Sequence, residues 1–191
     1  GIYFLMGILF IGQAFMGWFM VASGLIDKPA VDHFRLTLHL LLALTLLGLA
    51  LWTAFGHRYG FSSPAKAKWS SLSKLAAASF VILLIQISYG GLVAGLKAGH
   101  VSNTWPLMLG QWIPKGIFGA NGFNWLNLFE APQTVVYIHR WFAFLGLLLV
   151  PWAYWQAKKR GYPAEIQRGL LWLIVAVTTQ ITLGVTVGLA L

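Results

Sequence analysis

Five apolar stretches, each about the length a helix needs to cross a bilayer, leave this chain few ways to fold. They cover residues 2–25, 36–55, 75–96, 135–155 and 170–191. About 20 apolar residues in a helix span the hydrocarbon core of a membrane. Backbone N–H and C=O groups must find partners within the chain there, so only helices and closed barrels can cross, and none of the stretches alternates as a barrel strand would. The expected fold class is all-α, a polytopic transmembrane helical bundle with five membrane-spanning helices. Composition removes the alternatives. Hydrophobic residues make up 59% of the 191 and charged residues only 9%, whereas a water-soluble domain carries about 25% charged residues. A soluble globular chain and a disordered one are both excluded. There is no cysteine, which excludes disulfides, iron–sulfur clusters and thiolate-held metals.

The net charge of +9 resembles a nucleic-acid footprint until the charges are placed. The loop at 56–74 carries Arg58, Lys66, Lys68 and Lys74 with no acid. The loop at 156–169 carries Lys158, Lys159, Arg160 and Arg168 with Glu165 as its one acid. The alternate segments hold Lys28, Arg35, Lys97, Lys115 and Arg140 together with Asp27, Asp32 and Glu130. An excess of Lys and Arg marks the cytoplasmic or matrix face. The two basic loops lie two spans apart, so the parity agrees and the first helix runs from inside to outside. The expected partner is therefore membrane lipid and not nucleic acid. The expected location is an integral, multi-pass one in a bacterial plasma membrane or a mitochondrial inner membrane. Trp52, Trp69, Trp152, Trp155 and Trp172 fall near the inner interface, and Trp105, Trp112 and Trp125 in the outer loop 97–133, in keeping with the headgroup preference of indole rings. The chain begins with Gly1 at the edge of one span and ends with Leu191 inside another. It is expected to be an internal piece of a longer membrane protein.

An internal repeat runs through the spans. Gln13-x-x-x-Gly17, Gln86-x-x-x-Gly90 and Gln180-x-x-x-Gly184 recur in the first, third and fifth, each followed by a Val/Ala/Gly/Leu run. Small residues every fourth position allow helices to pack closely, and Gly91-x-x-x-Gly95 and Gly184-x-x-x-Gly188 suit that role. An amide in hydrocarbon needs a partner, so the glutamines are expected to bond across helices. The second and fourth spans carry His39 and His139 at matching depth below the outer end. A polar ring within a span is costly and usually faces the bundle interior. Either a carbonyl or the paired glutamine satisfies each ring, or the two rings ligate something. Zinc wants three or four donors, and no carboxylate lies clearly within the spans. Heme iron needs one or two axial imidazoles and an apolar slot, which makes heme the best chemical match. Arg35 lies one helical turn before His39, and Arg140 follows His139. Either guanidinium could hold a propionate bidentately or snorkel to the interface. His33, His57 and His100 sit in loops or at span edges and are expected to be solvated.

The run Gly90-Gly91-Leu92-Val93-Ala94-Gly95-Leu96-Lys97-Ala98-Gly99, then Ser102-Asn103-Thr104-Trp105-Pro106-Leu107-Met108 and Trp112-Ile113-Pro114, carries a resemblance. So do Asn127-Leu128-Phe129-Glu130, Val135-Val136-Tyr137-Ile138-His139-Arg140, and, near the start, Gly17-Trp18-Phe19-Met20-Val21-Ala22-Ser23-Gly24-Leu25 leading to Phe34-Arg35-Leu36-Thr37-Leu38-His39-Leu40. Together they resemble the heme A synthase family in its alphaproteobacterial and mitochondrial form. The resemblance implies a pseudo-symmetric plan of two four-helix halves, of which this chain covers the third to seventh helices. Residues 1–74 would be the last two helices of the first half with an inner loop, and 75–191 the first three helices of the second.

The resemblance further implies an oxidoreductase that oxidises the C8 methyl of heme O to the formyl group of heme A, with water as oxygen source. His39 would be an axial ligand of the substrate heme O and His139 of a cofactor heme b, with Arg35 and Arg140 at the propionates. No catalytic residue is assigned in this chain: the family's catalytic glutamate belongs to a helix outside it, and Glu130 is not its substitute. The chain by itself is expected to be inactive. The resemblance implies heme O synthase as the supplier of substrate, an electron acceptor it does not identify, and room for a homo-oligomer. The outer loop 97–133 either caps the site or is a spacer. Two rival readings share the histidines. One is a diheme b-type cytochrome that only transfers electrons, and the other a repeat-built transporter with histidine proton relays.

Overall fold

The computed structural model describes residues 1–24, 31–61, 69–119 and 123–190. Leu25, Asp27, Lys28, Lys66, Lys68 and Leu191, used above, lie outside the described residues. Every long element is helical, as the apolar stretches require: α1 (Ile2–Gly24), α2 (His33–Tyr59), α3 (Ser71–Gly95), a 3₁₀ turn (Ala98–Val101), the single turn α4 (Asn127–Glu130), α5 (Pro132–Lys159) and α6 (Ala164–Ala190). Five of them are long and apolar enough to cross a membrane, and the chain is a multi-pass membrane protein. Large apolar side chains such as Phe4, Phe10, Ile11 and Trp172 are about seven-tenths exposed. Water would not tolerate so large an apolar surface, but lipid does.

The chain divides into two compact units, Gly1–Lys68 and Trp69–Leu191. In the first, α1 packs along α2. The helix α2 starts before its apolar stretch because Asp32 caps it, accepting a hydrogen bond from the Arg35 backbone N–H at 3.0 Å; an N-cap carboxylate satisfies one of the orphan donors of the first turn. The helix ends at Gly60, whose φ of +84° favours glycine and whose N–H reaches the Gly56 carbonyl. Phe61 then folds back so closely on Gly56 that any side chain there would collide with its ring.

In the second unit α5 packs between α3 and α6. The helix α3 is capped by Ser70, whose Oγ accepts from the Ser73 N–H at 3.1 Å. The helix α5 opens with Pro132 at its first position, where the missing N–H costs nothing. At its other end Gly161 turns the chain with φ +65°, and the Tyr162 N–H caps the Ala157 carbonyl at 3.0 Å. Lys158 and Lys159 stand in that last turn, where the helix dipole favours cations.

The segment between α3 and α4 is folded against the membrane helices. Ala98, Met108 and Ile117 are buried against Val136 of α5, with Val93, Leu96, Val101 and Tyr137 around them. Leu109 and Gly110, both at positive φ, close a tight turn in which Met108 and Gln111 exchange backbone hydrogen bonds of 2.9 and 3.0 Å. Buried Ser102 accepts from the Leu109 N–H and bonds the Thr104 hydroxyl. Thr134, fully buried at the start of α5, donates to the Ile117 carbonyl. The segment thus has a small core of its own and is more than a spacer.

Candidate functional site

Each unit contains the same local construction. In the first, Gln13 and Gly17 lie one turn apart on α1, hence on one face of it, and both meet His39 of α2. The Gln13 side-chain nitrogen is 3.2 Å from His39 Nε2. At Gly17 an added Cβ would lie 3.4 Å from His39 Cε1. In the second unit, Gln86 and Gly90 of α3 meet His139 of α5. The Gln86 nitrogen is 3.5 Å from His139 Nε2, and a Cβ at Gly90 would lie 3.2 Å from His139 Cε1. A single approach of this kind would be unremarkable packing. Two copies, with the same atoms in contact, show that the sequence repeat encodes a repeated imidazole seat.

The glutamine partners foreseen from the sequence are therefore these histidines. The glycines have a narrower role than general helix packing. They let the neighbouring helix come against the edge of the imidazole, whereas among the described residues Gly184 and Gly188 meet nothing within 4 Å, and Gln180 is exposed. In both seats the amide oxygen of the glutamine and Nδ1 of the histidine are buried with no hydrogen-bond partner among the described residues. Buried polar atoms are nearly always paired, so four such atoms in two matching sets mark places built for something besides packing.

The two arginines behave differently. Successive helical residues project about 100° apart, so Arg140 leaves α5 away from the His139 side. Its Nη1 donates to the Thr104 carbonyl at 2.9 Å and its Nη2 to the Ser102 carbonyl at 2.6 Å. It ties the outer segment to α5. Arg35 lies over the ring of Phe19 at 4.3 Å from its centroid, a cation–π arrangement that keeps it beside α1.

Aromatic rings cover the loop side of α5. Tyr137, Trp141 and Phe144, at helical spacings of four and three, pack on one another. Phe118, Trp112 and Trp105 of the outer segment join them. On the side towards α3, Phe142 stacks on Tyr89, which also meets Phe129. The sequence placed Trp105 and Trp112 in the outer loop but gave no sign that they pack on α5.

Of the histidines expected to be solvated, His100 and His57 are exposed, and His57 bonds the Tyr3 hydroxyl. His33 differs. As the first residue of α2 it packs on Phe34, and its Nε2 is buried without a partner among the described residues. Glu130 ends α4 and is exposed. Among the described residues no three His, Asp or Glu side chains gather closely enough to hold a bare metal ion. The donor set consists of isolated imidazoles in apolar seats.

Comparison with known proteins gives the family of the chain. A family model described as cytochrome oxidase assembly protein matches residues 2–190. The chain is 40% identical over 173 residues to a protein of Parvibaculum lavamentivorans named heme A synthase, covering 91% of this chain and 48% of that one. A heme A synthase of Flavobacterium johnsoniae is 40% identical over 174 residues, covering 91% of this chain and 50% of the relative. One of Wolbachia pipientis is 46% identical over 139 residues, covering 72% and 39%. The chain thus spans about half the length of the curated relatives it matches. No solved structure matches it.

Proposed function

Since the chain belongs to the cytochrome oxidase assembly protein family, we propose that it forms part of a heme A synthase. This oxidoreductase converts the C8 methyl group of heme O to the formyl group of heme A. Water supplies the formyl oxygen, and the hydrogens removed leave as protons and as electrons passed to an acceptor. Heme O is the substrate, delivered by a heme O synthase, and His39 would hold its iron. His139 would hold the iron of a resident heme b.

The observation that carries this reading is the duplicated seat: Gln13, Gly17 and His39 in one unit, Gln86, Gly90 and His139 in the other. The residues fit a heme on three counts. A neutral imidazole offers one lone pair, which is all an axial position asks. The glycines set bare backbone beside each ring, where a Cβ would touch His39 at Gly17 and press on His139 at Gly90. The surrounding helices are apolar, as a porphyrin face requires. When bound, heme b supplies one-electron redox chemistry. The chain's own residues orient the rings and fold the outer segment against α5. Arg35 is assigned to a propionate on the His39 side; Arg140, which faces the outer segment and not the His139 seat, is assigned to a propionate reaching that flank of α5. Arg140 has five N–H donors, more than its two carbonyl bonds consume.

The test uses the full-length protein. His39→Ala should abolish conversion of heme O to heme A, followed in extracted pigment, and His139→Ala should remove the low-spin spectrum of the resident heme. Full activity and unchanged spectra in both variants would defeat the assignment. Two hemes whose side groups never change would favour a diheme electron-transfer cytochrome instead.

A further inference from the structure

A neutral imidazole has one N–H and one bare nitrogen. In both seats the ring nitrogen Nε2 faces the amide nitrogen of a glutamine, at 3.2 Å for His39 and 3.5 Å for His139. An amide NH₂ only donates, so Nε2 is the acceptor and the ring proton sits on Nδ1. That lone pair is the only one the neutral ring can give to iron, because the other nitrogen carries the proton. The hydrogen bond and ligation through Nε2 therefore exclude each other. Among the described residues the amide has no second polar partner, since each glutamine oxygen is buried and unbonded. The imidazole is what holds each glutamine in place.

The geometry points to a competitive role for the two glutamines: Gln13 and Gln86 are positioning residues that occupy the ligating lone pairs of His39 and His139 and give them up when iron binds. This rests on the reading of those histidines as heme ligands. The two sites are unequal. The Gln13 bond has ordinary hydrogen-bond length, whereas the Gln86 distance lies at the outer limit. The stronger competitor thus stands at the site assigned to the substrate, which must release its heme in every turnover. The weaker one stands at the site assigned to the resident heme. A glutamine that merely braced the ligand would act in the opposite sense, since its loss would loosen the heme.

The experiment uses the full-length protein with iron protoporphyrin bound, in a His139→Ala background so that one heme is followed. Partition of the heme between the protein and apomyoglobin at equilibrium is read from the Soret band. Gln13→Leu should shift the partition towards the protein about threefold to tenfold, the size of one neutral hydrogen bond. Gln13→Asn, whose amide falls one methylene short, should shift it in the same direction and serves if the leucine variant does not fold. A partition that is unchanged or shifted towards apomyoglobin in a folded variant overturns the competition. His39→Ala in the same assay separates the two ideas. A wild-type partition there would sink the ligand reading itself. Lost heme there, together with an unshifted partition in Gln13→Leu, would sink only the competition.

Discussion

Replacing Arg140 by alanine tests how the outer segment is held. The guanidinium makes two charge-assisted hydrogen bonds, to the carbonyls of Thr104 at 2.9 Å and Ser102 at 2.6 Å. Bonds from a charged donor contribute about 1.5–3 kcal/mol each when shielded from water. The Thr104 bond is exposed and the Ser102 bond half-buried, so screening reduces the pair to a combined ~2 kcal/mol. Ser102 keeps its own bonds to Leu109 and Thr104, so the loss should show as local opening and not as global unfolding. A change of ~2 kcal/mol corresponds to about thirtyfold faster exchange of the backbone amides that open with the segment. Hydrogen exchange over residues 98–118 in detergent, read by mass spectrometry, measures this directly, with α3 and α6 as internal references. Lysine at 140 should recover only part of the protection, because a single ammonium lacks the planar fork that spans two carbonyls. Exchange in Arg140→Ala indistinguishable from wild type over that segment would refute the pinning role.

The two glycine seats should respond differently to added bulk. Gly17→Ala gains up to ~1 kcal/mol of helix propensity against an ordinary 3.4 Å contact, and should raise the thermal midpoint in detergent. Gly90→Val pushes branches past a position already at 3.2 Å from His139, and should cost ~1–3 kcal/mol as overpacking does; a wild-type midpoint would show that α3 does not meet the imidazole there. Thr134→Val removes the buried donor to the Ile117 carbonyl and should cost ~1–3 kcal/mol, seen as lost exchange protection around residues 116–119 and at the start of α5. Unchanged protection in that variant would place the hydroxyl elsewhere.

Those residues also show what a reader of the sequence could see. The helices were legible because hydrocarbon leaves the backbone no other choice, and their apolar cores follow the five stretches. Their ends were less so: α2 runs from His33 to Tyr59, beyond the apolar stretch at both ends, because the Asp32 cap and a polar last turn continue it. That Gln13 and Gln86 bond across helices followed from the need of an intramembrane amide for a partner; the structure adds that the partners are His39 and His139. The outer segment was opaque for a physical reason. Its order comes from backbone acceptors, the carbonyls of Ser102, Thr104 and Ile117, and every residue type carries that group. Nothing in the letters says that Arg140 will find two of them, or that Leu109 will take a left-handed conformation to bury Met108. The unpartnered Nε2 of His33 was missed because a histidine at a span edge gives no sign of which way it faces.

The helix α5 serves two masters on opposite flanks, with Tyr137, Trp141 and Phe144 gripping the outer segment and His139 set against α3. No glycine or proline interrupts it between Tyr137 and Leu145, so this stretch moves as one stiff rod. A rotation about its long axis that loosens the aromatic grip must also swing the imidazole along the face of Gly90. The outer segment and the ring inside the bilayer are thus carried by one uninterrupted stretch of helix.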